Sequence, residues 1–238
     1  MTDKELEFVR EALQTARRAG AQHARATLSL SEEDLVATLD GEVDRVTHCA
    51  DRSLALALFV DGRFGSYSTN KLDPAALEAF IGRAVASTRL LSEDPCRTLP
   101  DPARCCHDAL TGDELGLVDP ARESLTPAER RKMALKATVS GDPAADSAAS
   151  AMTGEADYQI VSEEGEYSDS VYETVVMDTN GLCCRHRETS FDYGVEITLE
   201  SGGQKYSGYW WDASSRLAEL DAPACGQRAL ERAVAQIG

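Results

Sequence analysis

At 238 residues the chain is long enough to bury a sizeable core, in one large domain or two small ones. An apolar fraction of 42% and a charged fraction of 27% are those of a folded globular protein, not a disordered one. With 41 acidic against 24 basic side chains, the net charge of −17 repels phosphate backbones, which argues against binding nucleic acid or an anionic membrane. No apolar run approaches bilayer length and no signal-peptide pattern opens the chain, so the expected compartment is the cytoplasm. Seven cysteines (Cys49, Cys96, Cys105, Cys106, Cys183, Cys184, Cys225) form an odd, irregular set that fits reduced thiols better than a disulfide framework.

In chain order, residues 5–18 carry Leu6, Val9, Leu13 and Ala16 at helical spacing, and Gly20 suits a C-terminal cap. Residues 24–30 alternate as a strand. A second extended run over 35–46 is interrupted at Asp40-Gly41, as a hairpin turn or a bulge. Residues 53–60 alternate clearly through Leu54, Leu56, Leu58 and Val60; Asp61-Gly62 then has hairpin chemistry and residues 63–68 return as its partner. Asp73-Pro74 opens a helix whose Leu77, Phe80, Ile81, Ala84 and Val85 share a face. Prolines 95, 100, 102 and 120 punctuate a linker with weak periodicity. Thr126 and Glu129 have capping-box spacing at the start of a helix running to about Val139, which stops before Gly141-Asp142-Pro143.

From 148 to 212 the pattern has period 2, and predicts a meander of about five strands. Met152, Ala156, Tyr158 and Ile160 share a face of the first, and turns fall at Asn180-Gly181 and Gly202-Gly203. A final helix spans roughly 223–237. The expected fold is α+β: an N-terminal two-layer helix/sheet domain over 1–94, a linker over 95–123, and an antiparallel meander with flanking helices over 124–238.

Few constellations carry chemistry. Cys105-Cys106-His107 and Cys183-Cys184-Arg185-His186 lack paired zinc-ligand spacing, and adjacent cysteines on a strand point to opposite faces. No histidine is followed by glutamate, so the helical zinc-peptidase motif is missing; a serine elbow and the Gly-rich phosphate loops are missing too. No catalytic or metal-ligating residue is therefore assigned. Glu163, Glu164 and Glu166 sit around Gly165 and read as solvated acids of a turn. Tyr206, Tyr209, Trp210 and Trp211 suit core or interface packing, or a ligand-stacking platform. Gly65, Ser66, Tyr67, Ser68, Thr69 and Asn70 form the most distinctive segment. Its hydroxyls either satisfy a tight hairpin locally, or its small side chains expose a strand edge to an extended peptide.

Leu58-Phe59-Val60-Asp61-Gly62-Arg63-Phe64-Gly65-Ser66-Tyr67-Ser68-Thr69-Asn70 resembles the R-V-F-x-D-G-r-x-G-s-x-S-T-n region of TldD/PmbA proteins. The proline-punctuated linker, residues 172–191 around Asn180-Gly181, and Tyr209-Trp210 before Arg216-Leu217 are similar to that family as well, closer to its PmbA (TldE) side. The resemblance implies a cytoplasmic, heteromeric zinc peptidase acting on small or unfolded peptides. In it, an H-E-x-x-x-H helix and a later cysteine of the TldD-type subunit hold the metal, downstream of the region matched here. The chain is then expected to lack the family's C-terminal domain, to hold no zinc itself, and to pair with a TldD-type subunit or with a second copy. The alternatives are the N-terminal half of an active TldD-type protease and a free-standing peptide- or partner-binding module. The family's older label, modulator of DNA gyrase, gains nothing from the acidic charge.

Overall fold

The computed structural model describes residues 1–107, 111–140 and 157–237. Among these, the chain runs through helix α1 (Asp3–Arg18) and strands β1 (His23–Leu39), β2 (Glu42–Val60) and β3 (Arg63–Thr69). Helices α2 (Pro74–Thr88), α3 (Ala121–Ser124) and α4 (Pro127–Ala137) follow. Strands β4 (Gln159–Asp178), β5 (Cys183–Ser201) and β6 (Gln204–Ser214) and helix α5 (Ala222–Val234) complete the order. The strands form one antiparallel sheet in the order β3-β2-β1-β4-β5-β6, so the fold is α+β as expected. Met152 and Ala156 of the expected first meander strand, and Gly141-Asp142-Pro143, lie outside the described residues.

The chain divides into two compact units, each drawn from three stretches. Unit 1 comprises Met1–Ser31, Ala50–Gly116 and Tyr172–Arg187; unit 2 comprises Glu32–Cys49, Leu117–Val171 and Glu188–Gly238. These limits cut across the sequence breaks at 94 and 123. The long strands β1, β2, β4 and β5 each contribute a segment to both units.

Unit 1 follows its hydrophobic pattern closely. Thr2 closes a capping box on α1: its hydroxyl accepts from the Glu5 N–H, and the Glu5 carboxylate accepts from the Thr2 N–H at 2.6 Å. Gly20, at φ +107°, ends the helix as predicted, with the Ala21 N–H donating back to the Ala16 carbonyl at 3.0 Å. Asp73 caps α2 by accepting from the Ala76 N–H at 2.8 Å. Val9, Ala12, Leu13 and Ala16 of α1 pack with Ile81 and Val85 of α2 over the inward residues of β1 and β2, Ala24, Ala26, Leu28, Leu54, Leu56 and Leu58.

Unit 2 is a second helix-on-sheet layer, with Ala134 and Ala137 of α4 and Ala229, Leu230 and Ala233 of α5 on Phe191, Val195, Ile197 and Leu199 of β5. Gly208 of β6 allows α5 to approach, since a Cβ there would run into the Ala229 carbonyl oxygen. The Thr126/Glu129 capping box forms as read. The helix stops at Ala137, two residues short of the expected end. Thr138 turns extended, and the buried Glu163 carboxylate accepts the N–H groups of Val139 at 2.6 Å and Ser140 at 2.8 Å.

Two readings are corrected. Among the described residues the meander has three long strands, β4 to β6, where about five were expected; hydrogen-bond ladders carry each strand past breaks in its burial pattern. The same holds for β2, whose first eleven residues are exposed: the extended runs read up to 46 and from 53 are one continuous strand. Glu163, Glu164 and Glu166 lie in β4, not a turn: Glu163 is fully buried while Glu164 and Glu166 face outward. The turns themselves are as read at Asp40-Gly41, Asp61-Gly62 and Gly202-Gly203, where both residues of each pair have positive φ, the type I′ signature. Asn180-Gly181 instead sits in a four-residue connection. Only Gly181 has positive φ there, and the Asp178 carboxylate shapes the loop by accepting from the N–H groups of Asn180 and Leu182.

Candidate functional site

The segment singled out in the sequence becomes strand β3 and the residue after it. β3 pairs with β2 in the register Leu58↔Gly65, Ala57↔Ser66, Leu56↔Tyr67, Ala55↔Ser68 and Leu54↔Thr69. It ends the sheet order, so its other side carries no strand. At its start that side is bridged by Arg63↔Glu93, with the Arg63 guanidinium on Glu93 at 3.1 Å. A two-residue hairpin makes its flanking pair, Val60 and Arg63, a hydrogen-bonded one, and the pattern alternates from there. The N–H and C=O groups of Gly65, Tyr67 and Thr69 therefore face β2, and those of Ser66 and Ser68 face the open edge.

Side chains fix that strand from the helix side. Gly65 is buried against α2, where a Cβ would stand 2.6 Å from the Thr88 hydroxyl and 2.7 Å from that of Tyr67. The two hydroxyls bond each other at 3.0 Å, and Thr88 donates to the Ala84 carbonyl at 2.8 Å. Ser66, Ser68 and Asn70 are exposed, and the Thr69 hydroxyl accepts from the Lys71 N–H at 3.1 Å. What the segment offers a ligand is backbone donors and acceptors, not an acid, a base or a nucleophile.

Unit 2 holds a buried ionic network that the sequence did not reveal. Asp169 is fully buried and accepts from Arg130 Nε at 2.6 Å and Nη2 at 2.9 Å, and from the Tyr167 hydroxyl at 3.1 Å; Arg122 Nε stands 3.0 Å away. Arg130 also reaches Asp34 at 3.1 Å, and Arg122 reaches Asp34 and Glu32, each at 3.6 Å. The hydrogen bond to Asp169 raises the Arg130 pKa, and burial, reinforced by Asp169, raises that of the Tyr167 phenol. Both groups are thus held in their ordinary protonation states, and neither serves as a base.

Among the described residues, Glu32, Asp34 and His48 are the group whose ligand atoms lie close enough to share a metal ion, with His48 Nδ1 2.9 Å from Asp34. The donor set fits a zinc centre poorly. Both carboxylates already face guanidinium groups, and two fixed positive charges within 4 Å oppose a dication there.

Two other clusters resolve differently. In β6, Trp210 packs beneath Arg228 and Arg232, whose guanidinium carbons stand 5.0 and 4.7 Å from its ring centre. Tyr209 and Trp211 point the opposite way and are 51% and 59% exposed. Strand alternation thus splits the aromatic cluster between packing and surface. Outward-facing Tyr209, Glu164, Glu166, Glu196 and Asp44 line an open acidic trough of about 450 Å³ in unit 2. In unit 1, Cys105, Cys106, Cys183 and Cys184 come together. Burial first, then contact with Cys106, pushes the Cys184 thiol up.

The described residues form an α+β scaffold with a helix layer on an antiparallel sheet and an open strand edge. Residues 28–88 match PmbA/TldA metallopeptidase domain 1, and residues 123–237 match the PmbA/TldA metallopeptidase central domain. The chain belongs to the PmbA/TldD family. It is 26% identical over 205 residues to the metalloprotease PmbA of Escherichia coli O157:H7, covering 83% of this chain and 41% of that protein. Among solved structures, a Bacteroides thetaiotaomicron protein described as a modulator of DNA gyrase superposes with a TM-score of 0.84 at 30% identity, over 100% of this chain and 51% of that one. TldE from Thermococcus kodakarensis shares the fold, with a TM-score of 0.66 at 15% identity over 94% of this chain and 46% of that one. The chain thus spans about half or less of the length of these relatives. No described helix is long and apolar enough to cross a membrane.

Proposed function

We propose that this chain is a PmbA/TldE-like, non-catalytic part of a cytoplasmic TldD-type zinc peptidase acting on small or unfolded peptides. The observation that carries the reading is the open edge of β3. Ser66 and Ser68 present backbone donors and acceptors there without bulky side chains, next to a helix that holds the strand in place. An extended peptide adds to such an edge as another strand, bound through its own backbone and hence with little dependence on sequence. In this reading the metal and the water it activates belong to a TldD-type subunit, and this chain binds and aligns the substrate.

The test is a peptidase assay on the chain alone and mixed with a TldD-type subunit. Turnover is expected only in the mixture, with no stoichiometric zinc on this chain by elemental analysis. Ser66→Pro removes an outward N–H and should weaken peptide binding about fivefold, as for one lost hydrogen bond, while leaving the fold intact. Thr69→Pro, whose N–H faces β2, should instead lower stability. Turnover by the lone chain, or one zinc per chain, would overturn the non-catalytic assignment; unchanged peptide affinity in Ser66→Pro would remove the strand-addition role.

A further inference from the structure

Within unit 1, residues 100–107 are laid against the β4–β5 connection by a run of polar contacts. Asn180 Nδ2 donates to the Pro100 carbonyl at 2.8 Å, and the Cys183 N–H donates to the Cys106 carbonyl at 2.7 Å. The His107 ring stands between two carbonyl oxygens, Gly181 at 2.8 Å and Pro102 at 3.1 Å. Gly181 leaves the room for it, since a Cβ there would meet Nδ1 at 3.0 Å. These contacts fix the backbone of Cys106 beside that of Cys183 and Cys184.

The consequence is a patch of four free thiols: Cys106 is exposed, and Cys105, Cys183 and Cys184 are half-buried. With the Cys183 N–H on the Cys106 carbonyl, Cys106 is the neighbouring thiol that bears most on the Cys184 thiol. Among the described residues, no three thiol or imidazole donors at this place come within shared reach of an ion, which disfavours a metal centre. Neighbours in sequence are poorly placed to bond each other, because adjacent extended residues aim their side chains apart. The cross-segment pair has no such obstacle.

We propose that Cys106 and Cys184 are a thiol–disulfide exchange site that closes reversibly and staples residues 100–107 to the start of β5. The oxidant is a low-molecular-weight disulfide of the glutathione class. The exposed Cys106 thiolate attacks one of its sulfurs, forming a mixed disulfide and releasing one small thiolate. Cys184 then gives up its proton and attacks Cys106 Sγ, forming the internal disulfide and expelling the second small thiolate. Two protein thiols are oxidised, one external disulfide is reduced to two thiols, and a dithiol reductant reverses the exchange. Cys106 is the attacking group because it is the accessible one, and Cys184 resolves because it is sheltered beside it.

The experiment uses the full chain with its other exposed cysteines replaced, Cys49→Ser with Cys96→Ser, equilibrated in buffers of oxidised and reduced glutathione. Thiol titration should show two thiols lost together at one potential. Peptide mapping without reduction should show Cys106 joined to Cys184, with release by dithiothreitol. Cys106→Ser should lose no thiol pair, and Cys184→Ser should stop at a glutathione adduct on Cys106. In case Cys184→Ser does not fold, phenylarsine oxide on the parent chain gives a separate readout: one arsenical should protect both cysteines from alkylation. Glutathione adducts without an internal bond, a crosslink through another pair or between chains, or failure of the arsenical to protect would each overturn the proposal.

Discussion

Units 1 and 2 present the same layering, two helices over a sheet, but hold it by different means. Unit 1 packs aliphatic side chains, and its buried Asp178 serves a turn rather than the core. Unit 2 buries Arg122, Arg130, Glu163 and Asp169 alongside its apolar cluster and places a cysteine and two tyrosines within it. The ionic groups tie α3 and α4 to β4 at defined points, whereas aliphatic packing tolerates repacking. The lesson is that one architecture can be fastened either by shape alone or by a few charges that tolerate no missing partner.

The largest test of that difference is Asp169→Ala. Removing the carboxylate takes the one fully buried partner from two nearly buried guanidinium groups, leaving them the more exposed Asp34 and Glu32, and should cost unit 2 about 3 kcal/mol. Both tryptophans lie in unit 2, so their fluorescence during urea unfolding reads that unit directly. Leu56→Ala is the counterpart in unit 1, with an expected loss of about 2–5 kcal/mol from the cavity it leaves, visible by circular dichroism and not first by fluorescence. A loss below about 1 kcal/mol for Asp169→Ala would erase the distinction.

Alkaline pH should separate the units next. Burial pushes the Cys225 thiol up to about 11 and the Tyr193 phenol up to about 12. In the unfolded chain these groups ionise first, near about 8.5 and about 10. The stability they contribute is therefore complete below those values and is lost as pH rises through the folded ones. Unit 2 should lose on the order of 2 kcal/mol between about pH 9 and 11, and Cys225→Ala should flatten that slope. Smallest is the effect on which the units should agree. Thr2→Ala and Thr126→Ala each remove the same capping box and should cost about 1 kcal/mol apiece, read as equal shifts in the two unfolding probes.

The sequence made unit 1 the more legible of the two, for the same physical reason. Alternation at Leu54, Leu56, Leu58 and Val60, the cap at Asp73 and the Asp61-Gly62 turn are local signals, and each appears where read. The pairing of Arg122 and Arg130 with Asp169 joins residues far apart in sequence, and a charged residue in a strand looks the same whether it meets water or a guanidinium. Glu163 misled for that reason. The edge position of β3 was one of two open readings: a hairpin partner can be read from its turn, but which of its sides stays open depends on the order of the whole sheet.

The three-part make-up of unit 1 bears on how the protein is made. Its last stretch, Tyr172–Arg187, brings Val175 and Met177 into a core otherwise built from the first 85 residues or so. A ribosome must deliver residue 187 before that core can close. Through most of synthesis the emerging chain therefore displays Ala24, Ala26 and Leu28 on a strand whose β4 neighbour does not yet exist. Such a nascent edge invites pairing with other chains, and it makes the interval before β4 emerges the period in which a chaperone matters most.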